Sequence, residues 1–139
     1  MNNKVTVAFV CTHNSCRSQM AEAVAKLDHS DFFKPHSAGT TIKKNINPDA
    51  VALIKKVYDY DMEETQYNKT LDALPGTVDV LVTMGCNVEC PYVPCKHRED
   101  WNLDDPTGKG EEAFKKTLSL IQTKMKDLRD RIEADTLKL

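Results

Sequence analysis

The stretch from Val5 to Cys11, interrupted only by Thr6, is the longest apolar run in the chain and the strongest constraint on its fold. Its residues are mostly β-branched or aromatic and lack the polar alternation of a strand with one wet face. It therefore reads as a strand, Lys4 to Val10, covered on both sides, which is how strands of parallel sheets read. Polar residues fill Thr12 to Ser18, after which Met20, Val24 and Leu27 recur at helical spacing. The unit is strand, short loop, helix. A weaker strand is expected over Phe32 to Ser37, ended by Ala38-Gly39. Asn47-Pro48-Asp49 then starts a helix, with Asn47 as cap and proline in the first turn. Ala50, Leu53, Ile54 and Val57 are its expected buried face. Pro75-Gly76 marks a turn before a strand at Val78 to Met84, and a short segment near Trp101 is expected to be the last strand. In the final stretch Phe114, Leu118, Ile121, Met125, Leu128 and Ile132 alternate steps of four and three, the pattern of an amphipathic helix. Strands alternating with helices predict an α/β fold, three-layer and doubly wound, around a parallel sheet of about four strands. No repeat or linker divides residues 1–139, so one domain is expected. In such sheets ligands bind beyond the carboxyl ends of the strands, where Cys11 and Cys86 are expected.

A chain of 139 residues buries about two-thirds of its unfolded surface in one core. The net charge of −2 gives no overall pull toward nucleic acid or an anionic membrane, so neither is expected as a partner and any anion site must be built locally. Met1-Asn2-Asn3-Lys4 is not followed by the apolar region and small-residue cleavage site of a signal peptide, and the expected location is the cytoplasm. There are five cysteines, an odd number that does not suit a disulfide framework. Cys11 and Cys16 lie near the start, while Cys86, Cys90 and Cys95 cluster some way downstream. Cytosolic thiols grouped in this way point to catalysis or metal binding.

Cys11-Thr12-His13-Asn14-Ser15-Cys16-Arg17-Ser18 places a Cys-x5-Arg pattern between a buried strand and a helix. Such a loop turns successive N–H groups into a nest for an anion, and the helix N-terminus adds partial positive charge. The guanidinium of Arg17 can grip two oxygens of a tetrahedral oxyanion. The same field favours a thiolate at Cys11. Asn14 and Ser18 are positioned to hydrogen-bond that sulfur or fix the loop, whereas Cys16 has no evident task beyond being a small buried apolar residue. Downstream, Cys86, Cys90 and Cys95 follow directly on a strand end. They read as redox-active thiols, as zinc ligands together with His97, or as buried thiols; the zinc reading lacks the usual Cys-x2-Cys spacing. Asp104-Asp105-Pro106 is a loop in which Pro106 holds Asp105 extended.

The run Cys11 to Ser18, continued by Gln19-Met20-Ala21-Glu22, resembles the low-molecular-weight protein tyrosine phosphatase superfamily and, more narrowly, the arsenate reductases that share that fold. Ser37-Ala38-Gly39 and Asn47-Pro48 match as well, and the likeness runs from Val5 to about Phe114. His13 departs from the glycine often found there. The resemblance implies that Cys11 is the nucleophile and that Thr12, His13, Asn14, Ser15, Cys16, Arg17 and Ser18 form the oxyanion cradle. Asp105 would be the general acid, and Asp104 a solvated neighbour. Thiols reduce arsenic(V) but not phosphorus(V), so a second thiol can attack an arsenylated Cys11 sulfur and release arsenite. By position in the resembled reductases, Cys86 makes that attack and Cys90 resolves it, with Cys95 as an alternative resolving thiol. Reduction by thioredoxin or a related external thiol would close the cycle, and no tightly bound cofactor is expected. Asn14, Glu22 and Ser37 match positions that help hold potassium in some relatives, but no metal is assigned here. The expected activity is arsenate reduction. The alternatives are a phosphatase that leaves Cys86 and Cys90 idle, and a non-enzymatic oxyanion or redox sensor.

Overall fold

The computed structural model describes residues 4–14, 16–42, 44–85, 93–137 and 139. Strand β1 (Val5–Cys11) leads into helix α1 (Arg17–Asp28), β2 (Phe33–Gly39) and α2 (Pro48–Tyr58). Two single-turn 3-10 segments, Met62–Glu64 and Leu71–Ala73, precede β3 (Val78–Thr83), β4 (Cys95–Asp100) and the long α3 (Glu111–Glu133). The four strands are all parallel, in the order β2-β1-β3-β4. Pairing of Cys11 with Gly39, Val10 with Thr83 and Thr83 with Asp100 lines up the carboxyl ends of all four strands along one edge.

Successive side chains of a strand point to opposite faces, and β1 uses both. Val7, Phe9 and Cys11 join the larger core under the helices, with Met20 and Val24 of α1, Leu53 and Ile54 of α2, and Ile121, Met125 and Leu128 of α3. Ala8 and Val10 face the other way, against Leu81 and Val93, with Leu71 and Leu74 packed on that cluster. Fully burying each large side chain contributes about 1.5–3 kcal/mol, so the helical layer carries most of the apolar stabilisation.

The last strand lies beside Trp101, as expected, but its own residues are polar. It spans Cys95–Asp100 and ends just before Trp101, whose N–H continues the ladder by donating to Thr83 O at 2.8 Å. Its half-buried positions are Cys95, His97 and Glu99, alternating with exposed Lys96, Arg98 and Asp100. A strand whose inward residues are polar is stable here because Glu99 is bonded by Arg131 of α3 (2.9 Å to each oxygen), by His97 (2.8 Å) and by Trp101 Nε1 (2.7 Å). Burial pulls the Glu99 carboxyl upward, but those donors outweigh it and hold the group at about 2. Helix α2 begins as expected, with Asn47 Oδ1 accepting from Asp49 N at 2.8 Å. Val57, however, is 50% exposed, one step beyond the face formed by Ala50, Leu53 and Ile54. Among the described residues, no helix is long and apolar enough to cross a membrane.

Candidate functional site

The residues after β1 turn back tightly beside the end of β2. Thr12 O accepts from Thr41 N at 2.9 Å, His13 O from Asn68 Nδ2 at 3.5 Å, and Asn14 O from Gln19 Nε2 at 3.0 Å. With Thr12 O and His13 O bonded outward, peptide planarity aims the N–H groups of His13 and Asn14 the opposite way, as an anion nest requires. Asn14 takes a left-handed backbone conformation (φ 51°), tolerated by asparagine better than by most residues. Gly39 makes the turn possible, since a Cβ there would meet Asn14 N and Thr12 O at 2.8 Å. Helix α1 starts at Arg17, and no acidic side chain in its first turn competes for its positive end.

Cys11 Sγ lies 2.9 Å from Ser18 Oγ, and Asn14 Nδ2 donates to the same Ser18 oxygen at 2.8 Å. Ser18 accepts from Asn14 and keeps its own hydroxyl hydrogen, which can be donated to a Cys11 thiolate and stabilise it. Arg17 is buried, and its Nη1 donates to Met84 O and to Leu103 O, both at 2.8 Å. That nitrogen's two hydrogens are thereby used on backbone beyond β3 and β4, and Nη2 lies 4.0 Å from Asp105 Oδ2. Asp105 is 51% exposed; its Oδ1 accepts from Thr107 N (3.0 Å) and Thr107 Oγ1 (2.7 Å), closing a local turn.

A small pocket is lined by Cys11, His13, Cys16, Arg17, Asp105 and Thr107. The structure thus brings the expected thiol, arginine and carboxyl together at the carboxyl edge of the sheet, with Asn14 and Ser18 behind them. Burial, and next the negative charges of Asp105 and Cys11, push the Cys16 thiol far up, so it stays protonated although it lines the pocket. Asp104 is exposed. Ser15, Cys86 and Cys90 lie outside the described residues. Cys95 pairs with Val78 at the start of β3, while the pocket lies beyond the far end of that strand. Five residues of strand at about 3.3 Å each separate the two ends. Cys95 therefore sits at the opposite edge of the sheet from Cys11. His97 bonds to Glu99, and among the described residues no group of three His, Cys, Asp or Glu side chains is disposed to hold a metal ion.

Two parts of the site escaped the sequence reading. Thr107 could have been found, since Asp followed two residues later by Thr is a common side-chain-to-backbone turn. The other is a segment running along the back of the loop, Gln66 to Thr70, which has no local signature. Gln66 Nε2 donates to Gln19 O and Oε1 (3.1 and 2.8 Å), and Gln19 Nε2 donates to Tyr67 O (2.9 Å). Lys69 N donates to Asn14 Oδ1, and Gly39 N donates to Lys69 O, each at 2.8 Å.

A model of the low molecular weight phosphotyrosine protein phosphatase family matches residues 6–138. Among curated relatives, an arsenate reductase from Bacillus cereus (strain Q1) is 36% identical over 133 residues, covering 91% of this chain and 95% of that protein. A solved structure described as an arsenate reductase in the phosphate binding state superposes with a TM-score of 0.82 at 31% identity, covering 92% of this chain and 98% of its own. A thioredoxin-dependent arsenate reductase of Corynebacterium glutamicum superposes with a TM-score of 0.71 at 26% identity, covering 97% of this chain and 65% of its own.

Proposed function

Because the chain belongs to the low molecular weight phosphotyrosine protein phosphatase family, we propose that it reduces arsenate to arsenite, with Cys11 as nucleophile and Cys86 and Cys90 as the redox pair. The observation that carries the chemistry is the convergence of Cys11, Arg17 and Asp105 on one pocket, with a serine hydroxyl 2.9 Å from the sulfur. The reduction itself rests on the downstream thiols of the sequence and on the likeness to proteins named arsenate reductases.

In the proposed reaction the loop amides and Arg17 hold the oxyanion, and the Cys11 thiolate attacks arsenic(V). A sulfur–arsenic bond forms, and one oxygen leaves as water after taking a proton from Asp105. Cys86, as thiolate, then attacks the Cys11 sulfur. The new sulfur–sulfur bond forms as the sulfur–arsenic bond breaks, and that bond's electron pair stays on arsenic, which departs as arsenite. Cys90 attacks the Cys86 sulfur, expels the Cys11 thiolate and leaves a Cys86–Cys90 disulfide. An external dithiol of the thioredoxin class reduces it by ordinary exchange. Cys95 rests at the far edge of the sheet, which favours Cys90 as the resolving thiol.

The family match also supports a second reading, hydrolysis of a phosphomonoester through the same Cys11, Arg17 and Asp105. Arsenite production from arsenate with thioredoxin, thioredoxin reductase and NADPH, run beside p-nitrophenyl phosphate hydrolysis, separates them. We expect sustained arsenite release from the parent, none from Cys86→Ser, where the Cys11–arsenic adduct is not cleaved, and no more than one turnover from Cys90→Ser. Brisk phosphatase turnover with no arsenite formed would overturn the reductase reading.

A further inference from the structure

Behind the anion loop lies a buried carboxylate that the reaction above does not use. Glu22 is on α1, one turn beyond Ser18, and its side chain is only 8% exposed. Ser37 Oγ donates to Glu22 Oε1 at 2.5 Å. Lys69 Nζ lies 3.5 Å from the same oxygen, and Lys26 Nζ lies 3.5 Å from Oε2. The charged or titratable groups around Glu22 are thus Lys26 of its own helix, Lys69 of the Gln66–Thr70 segment and, more remotely, His36 of β2, on which the Glu22 charge acts. The two lysines differ. Lys26 is 32% exposed and is shared with Tyr60, Thr65 and Gln66, at 3.3 to 3.5 Å. Lys69 is 12% exposed, donates to Tyr67 O at 2.8 Å and sits 4.7 Å from the centre of the Tyr67 ring. Its backbone N–H is the donor that holds Asn14 Oδ1.

We propose that Lys69 is a positioning residue whose ammonium neutralises Glu22, so that the oxyanion loop above it keeps a net positive field. A carboxylate one helical turn beneath an anion nest opposes both a bound dianion and the Cys11 thiolate, and burial weakens the screening that would hide it. The lysine removes that opposition, and the same residue's backbone fixes the turn at Asn14. Charge and geometry are delivered by one position on a segment distant in sequence. The inference rests on the anion-binding part of the proposed function and is independent of whether the bound oxyanion is reduced or hydrolysed.

The test uses the intact chain and two readouts that need no turnover. One is the affinity for inorganic phosphate; the other is the pH dependence of Cys11 alkylation by iodoacetamide, resolved by mass spectrometry of the Cys11 peptide. Lys69→Met is expected to weaken phosphate binding roughly fivefold to tenfold and to move the alkylation midpoint to higher pH, because Glu22 is then left with only Lys26, which is more exposed and shared with Tyr60, Thr65 and Gln66. Lys69→Arg is expected to retain both properties. In the double variant Lys69→Met/Glu22→Gln, with the opposing charge gone, both readouts should return to within about twofold of the parent, a coupling that independent sites do not show. If the double variant is as impaired as Lys69→Met, or if Lys69→Met leaves both readouts unchanged, the proposal is overturned. A failure of arsenite production with these couplings intact would count against the proposed reaction and not against Lys69.

Discussion

The two loops that meet over Cys11 are built in opposite ways. The Cys11–Ser18 loop is held from behind: Asn14, Ser18 and Gln19 are fully buried, Thr12 O is bonded by Thr41 just past β2, and His13 O and Asn14 Oδ1 are bonded by the Gln66–Thr70 segment. Asp105, in contrast, accepts from its own Thr107 and stands half in solvent. Catalysis that depends on stabilising charge gains most when the stabilising dipoles are fixed in advance. A proton donor must instead meet an oxygen that moves as its bond breaks. On the proposed mechanism, the contrast pairs a buried, braced loop with binding and a half-exposed carboxyl with proton transfer.

Perturbing each loop separately tests that division. Arg17→Lys should have the largest effect, because it keeps the charge but loses the planar fork and at least one of the bonds to Met84 O and Leu103 O. A loss of roughly 10³ in kcat/KM for arsenate is expected, with phosphate binding weakened in parallel. Asp105→Asn should lower kcat about 10²-fold while leaving phosphate affinity intact or improved, since only a proton donor is removed. If both variants lose binding equally, the division between the loops is wrong. Asn14→Ala should cost roughly 1–3 kcal/mol of stability in a denaturant melt and about tenfold in activity, by orphaning Lys69 N and releasing Ser18.

The root of the Asp105 segment offers a pH test. Glu99 bonds to Trp101 and sits in the folded chain at about 2, below its ordinary value of 4.5. A lowered folded value favours the charged form, so its contribution to stability is complete above pH 4.5 and is lost as pH falls toward 2. Glu99→Gln should therefore flatten the acid side of a plot of Tm against pH, with arsenate turnover at neutral pH little changed. The smallest effect belongs to Cys95→Ser, for which turnover within about twofold of the parent is expected from its separation along β3. A large loss there would move the resolving role away from Cys90.

The same contrast governs how much could be read from the sequence. β1, α1 and α3 were legible because their burial imposes a period: Val5 to Cys11 runs almost unbroken, and Phe114 to Leu128 repeats every three or four residues. The thiol, the arginine and the carboxyl were legible as a pattern between elements. β4 was legible only as a short segment near Trp101 without bounds, because Cys95-Lys96-His97-Arg98-Glu99-Asp100 carries its inward positions on polar side chains that become acceptable only when Arg131 arrives from α3. The segment behind the loop was not legible, since its bonds join Asn14 to Lys69 and Gln19 to Gln66 across a separation that no local rule spans. Val57 was misplaced because the face of α2 is narrower than its apolar residues suggest.

The arginine that faces the pocket also bonds the backbone that follows β3 and the backbone that follows β4. One side chain thus links the proposed anion site to the chain on the outer half of the sheet. An anion that binds this arrangement and not the unfolded chain stabilises it by mass action, by about 2.7 kcal/mol at a hundred times its Kd, and raises the melting point accordingly. If the chain holds phosphate at Arg17 as proposed, it will melt at a higher temperature in phosphate than in a buffer without a tetrahedral anion.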